Sequence, residues 1–68
     1  MSEATYIGRN LKAARVRRLL TQVELAEKAG VSPSTIVNIE RDQTAPQFRT
    51  SRKLAEALEV DPTSLLGG

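Results

Sequence analysis

Residues 21–40 read TQVELAEKAGVSPSTIVNIE, and this stretch contains the strongest signals for secondary structure in the chain. Thr21 is a good N-cap residue, and Glu24 follows it at the spacing of a capping box, so a helix is predicted over Gln22–Ala29. Gly30 is predicted to end this helix, because glycine readily takes the positive φ that closes many helices. The first half of the stretch is therefore a short helix whose two ends are both marked by local chemistry.

A second helix begins almost at once, because only Gly30-Val31-Ser32 separates it from the first. The last of these three is an N-cap residue, and Pro33 after it suits the first helical turn, where a missing N–H costs nothing. This helix is predicted to continue to about Arg41, with Ile36 and Ile39 inward. A connection this short, with a glycine in it, sets two helices at a steep angle.

The side of this second helix that lies opposite the two isoleucines has no charge and no large side chain. It consists of Pro33, Ser34, Val37 and Asn38. A short polar helix that is held at a steep angle fits the major groove of duplex DNA, which admits an α-helix. The pattern therefore favours recognition of double-stranded DNA by the second helix of the pair.

Three further helices are predicted outside this stretch. The first runs from Tyr6 to Leu19, and its apolar residues recur near helical spacing: Ile7, Leu11, Ala14 and Leu19. A loop over residues 42–46 precedes a helix from about Gln47 to Leu58, whose inward residues are Phe48, Leu54, Ala55 and Leu58. Asp61-Pro62 opens a last short helix that carries Leu65 and Leu66, and the final Gly67-Gly68 is expected to fray. The whole chain, residues 1–68, is predicted to be one all-α domain with its core over about residues 6–66.

Composition narrows the classes of function. The chain has 68 residues, enough for one small domain, and 40% of them are hydrophobic, which argues against disorder. It contains no cysteine and no histidine, so the commonest general base and the commonest metal ligands are absent. We therefore expect neither an enzyme nor a bound cofactor, metal or small-molecule effector. The sequence shows neither a signal-peptide pattern nor an apolar stretch of about 20 residues, which favours a cytoplasmic protein without a membrane partner.

The distribution of charge is more informative than the net charge of +2. Residues 9–18 hold five bases and no acid, and residues 41–53 hold four bases and one acid. Two basic flanks around a near-neutral middle suit a protein that grips phosphates on both sides of a groove. Two ordinary solvated helix faces would explain the same charges, so charge alone leaves both interpretations open.

The stretch Gln22–Arg41 closely resembles the helix-turn-helix of the phage repressor and Cro family, the XRE-type regulators, and the likeness extends from about Ile7 to Leu66. The matched positions include Arg15, Gln22, Leu25, Ala26, Glu40, Pro46 and Leu58. The resemblance implies a compact five-helix lambda-repressor-like domain. It also implies a transcriptional regulator, repressor or activator, that binds double-stranded DNA sequence-specifically as a homodimer on a palindromic site. The chain departs from the family at Leu19 and Asp42, where glycine is usual, and at Ser51, where an apolar residue is usual.

The same resemblance implies roles for individual residues at the DNA. Gln22 would donate to a phosphate from the start of the first helix of the pair, and Thr44 and Gln47 would bind phosphate further along the chain. Asn38 could pair with adenine or reach a phosphate, and Val37 could meet a thymine methyl group. The complete predicted DNA-binding set is Gln22, Ser32, Pro33, Ser34, Thr35, Val37, Asn38, Arg41, Thr44 and Gln47.

Several alternatives remain open. The family pairs Arg15 with Glu40 in a partly buried salt bridge, and this structural role is favoured for Arg15 over contact with DNA. Thr35 is either a DNA-backbone contact or a helix-capping hydroxyl, while Arg17 and Arg18 are either solvated charges or contacts to flanking phosphate. The chain as a whole could instead be a protein-interaction or antitoxin-like module that uses the same fold.

Overall fold

The computed structural model describes residues 7–66 of the chain, and for Leu66 the backbone alone. These residues form five helices: α1 (Ile7–Arg17), α2 (Gln22–Ala29), α3 (Pro33–Glu40), α4 (Phe48–Leu58) and α5 (Pro62–Leu66). No strand occurs among them, so the predicted all-α fold is confirmed. The predictions made for Tyr6, for the side chain of Leu66 and for Gly67-Gly68 lie outside the described residues.

One apolar cluster joins all five helices. Each helix contributes at least one of the largest fully buried side chains, which are Leu11, Leu25, Ile36, Ile39, Leu54, Leu58 and Leu65. Burying a side chain of this size stabilises the fold by about 1.5–3 kcal/mol relative to leaving it exposed. The inner side of α3 packs against α1 and α2, while α4 packs against α2 and α5. The core therefore holds α3 from one side only.

The four longer helices end in the same way, with a Schellman motif. In this motif one residue has a positive φ, and the N–H of the next residue donates to the carbonyl oxygen five positions before it. The returning bonds are Leu20 N to Arg15 O at 3.1 Å, Val31 N to Ala26 O at 3.0 Å, Gln43 N to Asn38 O at 2.9 Å and Val60 N to Ala55 O at 3.0 Å. The residues of positive φ are Leu19, Gly30, Asp42 and Glu59. Glycine would be conformationally favoured at all four positions of positive φ, but it occupies one of them, Gly30.

Two predictions for apolar residues are wrong: Leu19 lies outside the first helix in which it was predicted, and Phe48, which was predicted to face inward, is exposed. Leu19 keeps 88% of its surface exposed because α1 ends at Arg17 and Leu19 lies in the reversal after it, with a φ of 60°. Phe48 keeps 71% exposed although its spacing fits the buried stripe of α4. Phe48 is the first residue of α4, and the buried residues of this helix begin only at Ser51. The guanidinium carbon of Arg52 lies 5.9 Å from the Phe48 ring centroid and partly covers the ring.

Candidate nucleic-acid interface

The start of α2 is built by the predicted capping box. The hydroxyl of Thr21 accepts a hydrogen bond from the Glu24 N–H at 3.0 Å, and the Glu24 carboxylate accepts one from the Thr21 N–H at 2.8 Å. At the other end, Gly30 takes a φ of 74° and a ψ of 34°, as the sequence predicted. The turn that follows brings α3 against α2. Within this turn, the partly buried side chain of Val31 packs against the core.

The start of α3 is capped by Ser32. Its hydroxyl oxygen accepts a hydrogen bond from the Thr35 N–H at 3.3 Å and lies 3.0 Å from the Thr35 hydroxyl oxygen. Pro33 occupies the first turn, where it removes no helical hydrogen bond. Of the two roles left open for Thr35, this structure contains the local capping contact at the start of the helix.

The two sides of α3 differ as the apolar pattern predicted. Ile36 and Ile39 are fully buried. On the other side, Pro33 and Ser34 are exposed, and Val37 and Asn38 are half-buried. The outward side presents a hydroxyl, an amide and an apolar side chain, so it offers hydrogen-bond donors, acceptors and van der Waals contact without charge.

A polar network joins α1, α2 and α3 beside this surface. Arg15 donates from Nε to Glu40 Oε2 at 2.7 Å and from Nη2 to Glu40 Oε1 at 3.0 Å, which makes the predicted pair bidentate. Gln22 donates from Nε2 to Glu40 Oε1 at 3.1 Å. The Arg15 and Glu40 side chains keep 12% and 5% of their surface exposed. Arg15 therefore serves the structural role that was favoured for it.

The electrostatics of this network favour charged Arg15. The hydrogen bonds to Glu40 raise the pKa of the Arg15 guanidinium above its ordinary value, and the charge attraction of Glu40 acts in the same direction against the opposing effect of burial. Arg15 is therefore held in its charged form, opposite the Glu40 carboxylate.

The remaining predicted site residues lie beyond the end of α3. Arg41, Thr44 and Gln47 are all exposed, and Gln47 is the N-cap of α4 without a side-chain capping bond. All three lie in the segment that connects α3 to α4. Contact of any of the ten predicted residues with DNA stays a prediction.

Arg18 is engaged within the fold. Its Nε donates to the Leu58 carbonyl at 3.0 Å and its Nη2 to the Glu59 carbonyl at 3.5 Å, at the end of α4. Its Nη1 also lies 3.8 Å from Glu59 Oε2. These contacts tie the end of α1 to the end of α4, where a cation is electrostatically favourable. Arg17 beside it is exposed, and both of the alternatives stated for Arg17 remain open.

Neither a metal centre nor a membrane span stands out in the described part of the chain. No group of three or more histidine, cysteine, aspartate or glutamate residues between positions 7 and 66 could hold a metal ion. Among the five helices, none combines the length and the apolar character that crossing a membrane requires.

The five-helix arrangement and the capped α2-turn-α3 unit define a class of protein. The family model described as helix-turn-helix, HTH_3, matches residues 11–65, and the chain belongs to this family.

Among its relatives, the chain is 43% identical over 61 residues to the immunity repressor protein of Bacillus phage phi105, an alignment that covers 90% of this chain and 42% of that protein. It is 39% identical over 61 residues to the HTH-type transcriptional regulator SinR of Bacillus subtilis, covering 88% of this chain and 55% of SinR. The chain thus spans about half the length of the curated relatives it matches.

Solved structures show the same fold. The restriction-modification controller protein C.AhdI from Aeromonas hydrophila superposes with a TM-score of 0.89 at 29% identity, covering 96% of this chain and 98% of that one. An HTH_3 family transcriptional regulator from Vibrio cholerae superposes with a TM-score of 0.86 at 28% identity, covering 94% of this chain and 38% of that one. The likeness to C.AhdI therefore extends over nearly the whole of both chains.

Sequence reasoning missed the contact between Gln22 and Glu40. Gln22 was singled out for phosphate and Glu40 for the salt bridge, but nothing linked the two. They lie 18 positions apart and on different helices. The signal that could have found the contact is combinatorial: an amide at the start of α2 and a carboxylate at the end of α3 become neighbours when a three-residue turn folds the two helices together.

Proposed function

We propose that this chain is a sequence-specific, double-stranded DNA-binding domain of a transcriptional regulator, with α3 inserted in the major groove. The observation that carries the proposal is the burial of α3 on one side only: Ile36 and Ile39 anchor that side in the core, and the opposite side presents an uncharged face outward. The names of the relatives support it, since they include a phage immunity repressor and several transcriptional regulators.

The chemistry of the outward face suits the edges of base pairs. An asparagine amide can donate to adenine N7 and accept from adenine N6 at the same time, and this pairing discriminates against a wrong base by about 1–3 kcal/mol. We assign this role to Asn38. We assign to Ser34, whose side chain is shorter, a single hydrogen bond to a base edge. Val37 would contact a thymine methyl group, whereas Pro33 would contribute van der Waals contact alone.

The surrounding residues suit the phosphate backbone, which positions a protein on DNA without specifying the sequence. We assign phosphate contacts to Gln22, Arg41, Thr44 and Gln47. Ser32 and Thr35 are hydrogen-bonded to each other at the start of α3. Their two hydroxyl groups would supplement these phosphate contacts at the N-terminus of the helix. Contacts of this kind release counterions, so the affinity is expected to fall as salt rises.

We further propose that two copies bind a palindromic site. One helix of eight residues spans only a few base pairs, and a two-fold dimer doubles the contact by placing two copies of α3 in successive major grooves. The centres of the half-sites would be separated by about one helical turn, roughly 34 Å.

Selection from a pool of random duplexes, followed by titration of the selected duplex and a scrambled duplex at two salt concentrations, tests the proposal. We expect the selected duplex to bind at least about tenfold more tightly and both affinities to fall with salt. The double variant Ser34→Ala/Asn38→Ala should remain folded and lose the preference, and Glu56→Gln, on an exposed face of α4, should keep it. Equal affinity for every sequence would contradict specific binding, and selected sites without two-fold symmetry would contradict the dimer.

A further inference from the structure

The Glu40 carboxylate receives hydrogen bonds from two other helices. Arg15 of α1 donates two of them, and Gln22 of α2 donates the third. Glu40 is itself the last residue of α3. A single buried carboxylate thereby touches the first residue of α2 and fixes it relative to the helix that is proposed to read the DNA.

We infer that Glu40 is a positioning residue for DNA binding, which holds the Gln22 side-chain amide so that its second N–H is presented to a DNA phosphate. The inference rests on the proposed DNA-binding function, because it assigns the orientation of one phosphate contact at that interface. Glu40 itself contacts no DNA and acts through Gln22.

The chemistry of the amide explains why a carboxylate can orient it. The two ends of a glutamine amide are opposite in character, with a donor NH₂ group and an acceptor oxygen. Beside Glu40 only the NH₂ end is favourable, since the amide oxygen would face another acceptor that carries negative charge. Nε2 bears two hydrogens and Glu40 Oε1 takes one of them, so the other is available to a phosphate oxygen.

The carboxylate can serve as a fixed point because Arg15 holds it from the other side. The bidentate contact at 2.7 and 3.0 Å constrains both carboxylate oxygens. Arg15 also donates from Nη1 to the Leu20 carbonyl at 2.9 Å, just before α2 begins. Gln22 is thereby ordered before DNA arrives, which reduces the loss of side-chain entropy on binding.

Duplexes that carry one neutral methylphosphonate in place of a phosphate, moved along the selected site, provide the test. For wild type we expect one position at which the substitution weakens binding by about tenfold, because a hydrogen bond to a charged acceptor is lost. The variant Gln22→Met should be insensitive to the substitution at this position. Glu40→Gln and Glu40→Asp should abolish it as well, because the first removes the charge that orients the amide and the second shortens the reach by one methylene. Ser34→Ala, which changes only the base-reading face, should retain it.

The ratio of affinities for the modified and unmodified duplex separates positioning from stability, since partial unfolding lowers both affinities equally. Glu40→Asp keeps a negative charge for Arg15 and serves if Glu40→Gln does not fold. In free wild-type protein, nuclear Overhauser contacts between the Gln22 amide protons and the Glu40 side chain provide a measurement without any variant, and their absence would overturn the inference. Undiminished sensitivity at the Gln22 phosphate in folded Glu40 variants would overturn it too. Failure of wild type to prefer any duplex would instead refute the proposed function.

Discussion

Leu19 and Gly30 adopt nearly the same backbone conformation, with φ values of 60° and 74°, at the ends of neighbouring helices. For a residue with a Cβ this left-handed conformation is strained by about 1–2 kcal/mol, whereas glycine takes it freely. Leu19 is also 88% exposed, so its side chain buries little in return. Leucine at this position is therefore a local conflict, which the Schellman motif at the end of α1 overcomes.

Leu19→Gly should raise the free energy of unfolding by about 0.5–1 kcal/mol, which is the strain relieved less the extra entropy of the unfolded chain. Denaturant titration measures this change. Gly30→Ala is the matched control in the opposite direction: an added Cβ would meet no atom within 4 Å, so any loss of stability reports the backbone conformation alone. A Leu19→Gly variant no more stable than wild type would contradict this assignment of strain.

The Arg15–Glu40 pair is largely buried, so removal of one partner leaves the other charge in the interior. Arg15→Met should lower the free energy of unfolding by about 3 kcal/mol, because Glu40 would remain buried with its charge compensated by Gln22 alone. Arg17→Met, on an exposed neighbour, removes the same charge from the same helix and should change stability by less than about 0.5 kcal/mol. Equal effects of the two substitutions in denaturant titration would mean that the pair contributes no more than a surface charge.

The helices α1 and α3 approach each other closely at Gly8. A Cβ added there would collide with the Ile39 carbonyl oxygen and would lie 2.6 Å from Asp42 Oδ1 and 3.1 Å from the Glu40 carbonyl oxygen. The aspartate side chain can move aside, but the two carbonyl groups belong to the last turn of α3. Gly8 therefore sets the distance between α1 and the end of the proposed recognition helix.

Gly8→Ala should destabilise the fold by about 1–3 kcal/mol, in spite of the better helix propensity of alanine, because overpacking separates α1 from α3. Thermal unfolding of Gly8→Ala and of Ala13→Gly, an exposed position of the same helix, distinguishes packing from propensity. If Gly8→Ala were the more stable protein, the close approach of these helices would not be a constraint.

The start of α5 contains a carboxylate whose ionisation makes the stability of the fold depend on pH. Asp61 Oδ1 accepts hydrogen bonds from the Thr63 hydroxyl at 2.7 Å and from the Thr63 N–H at 2.9 Å, and these bonds lower the pKa of the Asp61 carboxyl below its ordinary 3.8. A lowered pKa means that the folded state favours the carboxylate. The resulting stabilisation is complete above the unfolded pKa and is lost as the pH falls through the lower folded pKa.

Asp61→Asn should therefore lower the melting temperature relative to wild type at neutral pH, and the difference should shrink as the pH falls from about 5 to about 2. Asparagine keeps a capping oxygen without a charge, so the comparison isolates ionisation at this position from the titration of the other carboxylates. A difference that is independent of pH would assign the contribution of Asp61 to the hydrogen bonds alone.

At the scale of the whole molecule, the five helices share one small core, and a fold of this size is marginally stable. A ligand that binds only the folded state adds directly to its stability. At free duplex concentrations about 100-fold above Kd, the selected DNA should add about 2.7 kcal/mol and raise the melting temperature by roughly 10–20 °C. A scrambled duplex of the same length is the control and should raise it less at the same concentration. Equal shifts would indicate that the protein recognises phosphate without sequence.

The local boundaries of the α2-turn-α3 unit follow from the amino-acid sequence alone. The ends of α2 and the start of α3 depend on bonds between near neighbours, such as those of Thr21 with Glu24 and of Ser32 with Thr35, and these were predicted correctly. The inward side of α3 followed from the spacing of Ile36 and Ile39 for the same reason, because residues three apart share a face of a helix.

The contacts between helices and the limits of the core depend instead on how the five helices pack together. Spacing placed Phe48 on the apolar stripe of α4 but could not reveal that the first turn of that helix extends past its packing partners. The closeness of Gly8 to Ile39 and the bond from Gln22 to Glu40 likewise exist only once three helices are docked. Periodicity specifies directions around one helix axis, whereas contacts between helices depend on crossing angles and distances that the packed side chains set together.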